Sequence, residues 1–396
     1  MATLLFVFIL FIYIGLGVPD SALGSAWPAI YLELGVNVGL NSLLSFLISL
    51  ATVTASFFAS KLINKLGTPT VTALSLALTG VALFLFGKAN YFWALCLIAL
   101  PLGFGAGAID AAINGFVATR YNSSHMNILH CFYGVGVSIT PYVFSLTLAS
   151  DNDWRTGYFV LFIILIFLAL LMLISFPLWK KTTSKTQDEE DFKSNDLSFK
   201  QLFKTFALKS NWLIFFTTCA LEFTVGAWGC TYLVTTQGLP ESTSAIYLTL
   251  YYAGITGSRV ASAFLCRKFS CGNILSFGFA VTGAGVLLAF LPVPPAIKGL
   301  CMMLVGLGNG PTFPNLISLT PTSFGRENSQ AVIGTQMAFC NMGILIAPPL
   351  FGVFAGLIST AIYPAFTAVC FVLMVVSFIL HQKSLKKKGC SLFKKI

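Results

Sequence analysis

The chain is poor in charge. Of its 396 residues, 9% are Asp, Glu, Lys or Arg, against roughly 25% in ordinary soluble domains. Acidic residues number 13 against 23 basic ones, and histidine occurs three times, at His125, His130 and His381. Histidines so dispersed make no catalytic or metal-binding cluster, and HExxH, P-loop and GxSxG motifs are all missing. Ten cysteines include no CxxC pair, and Cys96, Cys131, Cys219, Cys230, Cys301, Cys340 and Cys370 fall inside apolar stretches. That usage implies neither a disulfide framework nor a metal site. Cys390, in a basic tail, is either an acylation site or an ordinary thiol. Enzyme chemistry therefore has no support, and no cofactor is expected.

What the chain has instead is apolar length. Hydrophobic residues make up 57%, more than any soluble core could hide. The formal charge of +10 comes from lysines gathered in one central loop and the tail, a pattern that suits a membrane surface and not nucleic acid. A helix needs about 20 apolar residues to cross the hydrocarbon core. Runs of that kind occur near 3–32, 40–63, 70–88, 91–117, 127–149 and 156–178, and again near 212–235, 243–266, 273–292, 296–320, 329–355 and 360–380. The first lacks a basic leader region and is followed by further spans, so it reads as a permanent helix and not a signal peptide.

Cytoplasmic loops carry the excess of Lys and Arg. With the N-terminus inside, 19 of the 23 basic residues are cytoplasmic, Lys88, Arg155 and Lys298 are external, and Arg259 lies within the eighth run. Both termini are thus expected in the cytoplasm, as in a multi-pass protein of the inner membrane. The expected architecture is an all-α membrane protein of twelve transmembrane helices in two pseudo-symmetric six-helix bundles, residues 1–178 and 212–381. A cytoplasmic linker, 179–211, joins them, and 382–396 form a basic tail. Within the linker, Phe199, Leu202, Phe203 and Phe206 share one helical face, so this stretch is either an amphipathic helix on the membrane surface or disordered.

The halves echo each other. Gly103-Phe-Gly-Ala-Gly107 in span four matches Gly306-Leu-Gly-Asn-Gly310 in span ten, and Gly136-x4-Pro141 in span five matches Gly343-x4-Pro348 in span eleven. Such echoes point to a duplicated unit with its site between the repeats.

A charge in the middle of a span costs about 2.5–3.5 kcal/mol even on lenient insertion scales. Four residues stand out on that ground: Asp20, Asp110, Glu222 and Arg259. Asp110 shares a helical face with Gly103, Gly107 and Asn114, Asp20 with Gly17 and Gly24, and Glu222 with Gly226. A ladder of carboxylates suits a proton path; pairing with Arg259 is the structural alternative, although one arginine cannot satisfy three acids. Arg259, two turns from the end of span eight, is a gate residue, an ion-pair partner or a snorkelling cation. His130 reads more readily as a hydrogen-bonded structural residue than as a proton carrier. Trp27, Trp228, Tyr232 and Tyr251 are candidates for a stacking wall around a sugar, with interfacial anchoring as the alternative.

The segments GFGAGAIDAAINGF (103–116), MNILHCFYGVGVSITP (126–141), WRTGYF (154–159), GLGNGPTFPNLISLTP (306–321) and IGTQMAFCNMGILIAPPLFG (333–352) are similar to those of a known group. Through them the chain resembles the major facilitator superfamily and, within it, the fucose–galactose–glucose:proton symporter family. Glu222 with Trp228 and Tyr232, and YYAGITGSR at 251–259, look like that family's spans seven and eight. The resemblance implies two bundles rocking around a cavity lined chiefly by spans one, four, seven and ten. It implies acids in spans one and four for proton coupling and sugar binding. Asp110 sits at the span-four position, whereas the register of Asp20 relative to Pro28 is open by one helical turn. The superfamily loop motif after span two, Gly-x-x-x-Asp-x-x-Gly-Arg-Lys, survives only as Ser60, Asn64 and Gly67, with Thr68 and Pro69 in place of the basic pair.

The function this implies is proton-coupled uptake of a sugar or similar small polar nutrient by alternating access. Its expected partners are the small-molecule substrate, protons and membrane lipids, with no nucleic acid, and the expected state is a monomer. Proton-driven efflux of a metabolite or drug is the alternative. A ligand-binding sensor that moves nothing is a third, disfavoured because it need not keep costly acids in three spans.

Overall fold

The computed structural model describes residues 2–121, 123–151, 153–183, 206–266, 268–325 and 328–387. Among these residues every secondary-structure element is a helix, and the helices make twelve passes. Span one is Ala2–Asp20 followed by Ala22–Glu33, and spans two to six are Asn41–Leu66, Thr68–Lys88, Phe92–Arg120, Ser123–Asp151 and Trp154–Thr183. Spans seven, eight and nine are Phe206–Thr235, Glu241–Leu265 and Cys271–Leu288. Span ten comes in three pieces, Pro295–Asn309, Thr312–Ser318 and Thr320–Phe324, and spans eleven and twelve are Ser329–Leu357 and Tyr363–Lys387. Among the described residues, ten helices are long and apolar enough to cross a membrane. The other two passes are span eight, which carries Arg259, and the interrupted span ten.

An even number of passes brings the described chain ends to one face of the molecule, the termini face; the turn at 34–40 lies on the opposite, far face. Spans six and seven run to Thr183 and start at Phe206, beyond the 178 and 212 that mark the apolar runs, because a helix continues into the headgroup zone after its hydrocarbon stretch ends. The rest of the linker, with Phe199, Leu202 and Phe203, and the tail with Cys390 lie outside the described residues.

Proline explains the broken passes. Span ten was expected as one run over 296–320; it breaks beside Pro311 and again before Pro321, and its last piece reaches Phe324. Pro311, Pro314 and Pro321 each lack the N–H that would continue the i to i−4 ladder. Span one is interrupted two residues after Pro19, at Ser21.

Two hydrophobic cores result. One holds Tyr13, Trp27, Phe86, Phe144, Trp154 and Tyr158 from the first six spans; the other holds Phe215, Trp228, Tyr251, Phe351 and Met374 from the last six. The echoed glycines do the same work in each half. A Cβ at Gly103 would strike the Ile48 carbonyl of span two, and one at Gly306 the Tyr251 carbonyl of span eight. Likewise a Cβ at Gly136 would strike the Ile14 carbonyl of span one, and one at Gly343 the Phe216 carbonyl of span seven. Span four therefore lies on span two as ten lies on eight, and five on one as eleven on seven. Small residues permit this backbone approach, which supplies packing where the hydrophobic effect between helices is absent.

The halves also meet closely toward the far face. Gly24 of span one packs against the Gly226 carbonyl of span seven, and Gly39 against Gly352 and Gly356 of span eleven. Asn41 Nδ2 donates to the Ala227 carbonyl at 3.0 Å. Nearer the middle, Gly134 of span five sits against Thr256 of span eight.

Candidate functional site

The first group of polar side chains forms where span one breaks. The helix that begins at Ala2 ends at Asp20, which leaves this carboxylate exposed between the halves. Tyr133 of span five donates to Asp20 Oδ2 at 2.7 Å. Two turns earlier on span one, Tyr13 reaches span four, its hydroxyl 3.0 Å from Asp110 Oδ1 and 3.1 Å from Asn114 Oδ1. With one proton the hydroxyl donates to one of these at a time. Asp110 and Asn114 are four residues apart and so share a helical face, which lets Asn114 Nδ2 donate to Asp110 Oδ1 at 2.7 Å. The two groups adjoin: the rings of Tyr13 and Tyr133 are 6.3 Å apart, and His130 sets its ring edge-on to Tyr13 at 5.8 Å. Among the described residues neither Asp20 nor Asp110 has a cationic partner, and each presents a second oxygen without a protein donor.

The second group is built differently. Glu222 of span seven is buried, and Arg259 of span eight aims Nη2 at both its oxygens, 3.1 Å from each. Arg259 Nε donates to the Gly310 carbonyl at 3.2 Å. That carbonyl is open because its regular helical partner would be the N–H of residue 314, which is proline. The Tyr251 hydroxyl donates to the Glu222 carbonyl at 3.1 Å. Spans seven, eight and ten are thereby tied at one point, and the pair is compensated: a cation, an anion and a carbonyl satisfy one another. The two groups lie on spans that meet, because Gly134, next to Tyr133 on span five, sits against Thr256, one turn before Arg259 on span eight.

Three aromatic candidates are placed elsewhere. Trp27 and Trp228 are fully buried, their indole N–H groups donating to the Val38 and Pro348 carbonyls at 2.9 Å each. Tyr232 stacks on Tyr363 with centroids 4.7 Å apart, and its hydroxyl accepts from Gln237 at 3.1 Å. All three are buried and offer no ring face to open solvent. Beyond Asp20 on span one, residues 22–28 are buried, and Gly24 is pressed on span seven.

A profile of the Major Facilitator Superfamily matches residues 5–348. The chain belongs to that superfamily. Among curated relatives, this facilitator is 21% identical over 330 residues to Bypass of stop codon protein 6 of Saccharomyces cerevisiae, covering 74% of this chain and 65% of the relative. It is 23% identical over 260 residues to the glucose/mannose transporter GlcP of Bacillus subtilis, covering 62% of each. The chain thus spans just under two thirds of the length of both relatives. Among solved structures it is similar to the nucleoside transporter NupG, with a TM-score of 0.74 at 14% identity over 95% of this chain and 98% of that one. A bacterial homologue of the human lysosomal transporter Spinster, in an inward-facing and occupied conformation, gives a TM-score of 0.70 at 13% identity, covering 97% of each chain. At these identities the structural likeness establishes the fold alone.

Two residues of the site escape a reading of the facilitator's sequence. Tyr13 and Tyr133 each supply a hydroxyl to a carboxylate, yet a tyrosine within an apolar run reads as packing or anchoring. The available hint was depth: interfacial anchors sit at span ends, whereas Tyr13 and Tyr133 lie well inside spans one and five.

Proposed function

We propose that this facilitator carries a sugar or similar small polar nutrient across the membrane together with protons, by alternating access. The observation that carries the reading is the pair of carboxylates, Asp20 and Asp110, each held by a tyrosine and, among the described residues, left without a cation. A polyhydroxyl cargo needs acceptors and donors at fixed positions, and Asp110 Oδ2 with the second amide hydrogen of Asn114 offers one of each. A carboxylate without a counter-ion is the group best able to take up a proton with the cargo and release it when the cavity faces the other way. Glu222, already neutralised by Arg259, serves instead as a tie among spans seven, eight and ten, with Arg259 at the gate. Trp27, Trp228 and Tyr232 join the cavity wall when the far side opens.

In this reading, residues 1–178 and 212–381 rock as two bundles around the site, in a monomer. The termini face is cytoplasmic, as the lysine and arginine asymmetry favours, and the membrane is a bacterial inner membrane. The sugar transport for which the Bacillus relative is named supports a sugar as cargo, and the five sequence segments support placement near the fucose-type symporters. Proteoliposomes test this directly. Hexose accumulation accelerated by an inward proton gradient is the expected result; acceleration by the opposite gradient assigns efflux, and indifference to either removes proton coupling.

A further inference from the structure

A second feature lies outside the space between the bundles. Spans two, three and four enclose a groove of about 480 Å³ near the termini face. Phe58, Leu62, Leu74, Leu78 and Phe104 line it, and each of these side chains is exposed. At its mouth stand Lys61 and Lys65, one turn apart on span two and therefore on one face.

Among the described residues these lysines have no counter-ion. Residues 34–109 contain no Asp or Glu, so spans two and three, and span four up to Asp110, supply none. Among the described residues the ion pairs are Glu33 with Arg155 and Glu222 with Arg259. The local contact of Lys61 is with the Phe58 ring, 5.9 Å from its centroid. An apolar groove with two cations at its interfacial end matches an amphiphile in both parts: hydrocarbon for the groove and a negative head for the lysines. A free anion would use the lysines and leave the groove empty, and a zwitterionic lipid would leave net positive charge.

We propose that this groove binds an anionic phospholipid, one acyl chain lying between spans two and four and the phosphate between Lys61 and Lys65. The lipid then clamps span two to its neighbours in the same helix whose far end, at Asn41, meets span seven.

The test uses the full chain purified in detergent, with dioleoyl phosphatidylglycerol, dioleoyl phosphatidylcholine, dihexanoyl phosphatidylglycerol and inorganic phosphate as probes, read by thermal unfolding. Dioleoyl phosphatidylglycerol should raise the midpoint above that with phosphatidylcholine by about 2 °C or more. Lys61→Gln/Lys65→Gln should lose that difference, while Lys383→Gln/Lys386→Gln, at the end of span twelve, should keep it. Equal shifts from the two dioleoyl lipids, or an undiminished difference in the Lys61/Lys65 variant, overturn the site. An equal shift from inorganic phosphate or the dihexanoyl lipid overturns the role of the groove.

Discussion

At the scale of single residues, the site depends on which buried charges are compensated. Asp110→Asn keeps size and hydrogen bonding but cannot titrate. Accumulation driven by a proton gradient should vanish in this variant while substrate exchange without a gradient persists; undiminished accumulation would move coupling to Asp20. Tyr133→Phe removes one hydrogen bond to a carboxylate, an interaction worth about 1.5–3 kcal/mol, so transport should fall roughly tenfold or more, with abundance unchanged. Removing one partner of a buried ion pair is far worse than removing both, at about 3–5 kcal/mol. Arg259→Ala should therefore lower the unfolding midpoint in detergent markedly, and adding Glu222→Gln should restore part of the loss. If the double variant is no more stable than Arg259→Ala alone, the pair does not hold spans seven and eight together. The carboxylates were legible in sequence because charge stands out in hydrocarbon. Their partners were not, since Tyr13 meets Asp110 across 97 residues of chain and Tyr133 meets Asp20 across 113.

Single helices owe their shape to glycine and proline, and here the sequence was partly readable. The matched glycines of spans four and ten, and of five and eleven, were visible as an echo, and each proved to be a point of backbone contact with the equivalent neighbour. Span ten was read as one run because its hydropathy is continuous, yet three prolines cut it, and the carbonyl freed at Gly310 became the second acceptor for Arg259. Gly24 is the clearest test at this scale. A side chain there would collide with the Gly226 carbonyl of span seven, so Gly24→Val should hinder closure of the far face. With an impermeant maleimide applied from the far side, Ser25→Cys should label faster when Gly24→Val is also present; equal rates would mean that this contact does not govern closure.

For the whole molecule, the twelve passes put both described chain ends on one face, and the basic residues favour the cytoplasm for that face. Reporter fusions after Lys181 and at the C-terminus should read cytoplasmic, and one after Asp151 external; a cytoplasmic reading at Asp151 would falsify the orientation. The sequence by itself determined the number of passes, the chain ends on one side, the duplicated halves and the identity of the costly charges. These are properties of hydropathy, charge and local backbone chemistry, each decided within one helix. Tertiary structure alone decided that Glu222 pairs with Arg259 while, among the described residues, Asp20 and Asp110 have no cation, that Trp27, Trp228 and Tyr232 are buried, and that Lys61 and Lys65 crown an apolar groove. The physical reason is that compensation of a charge and access of solvent to it depend on which helices are neighbours, and twelve apolar helices of similar length carry almost no local information about that.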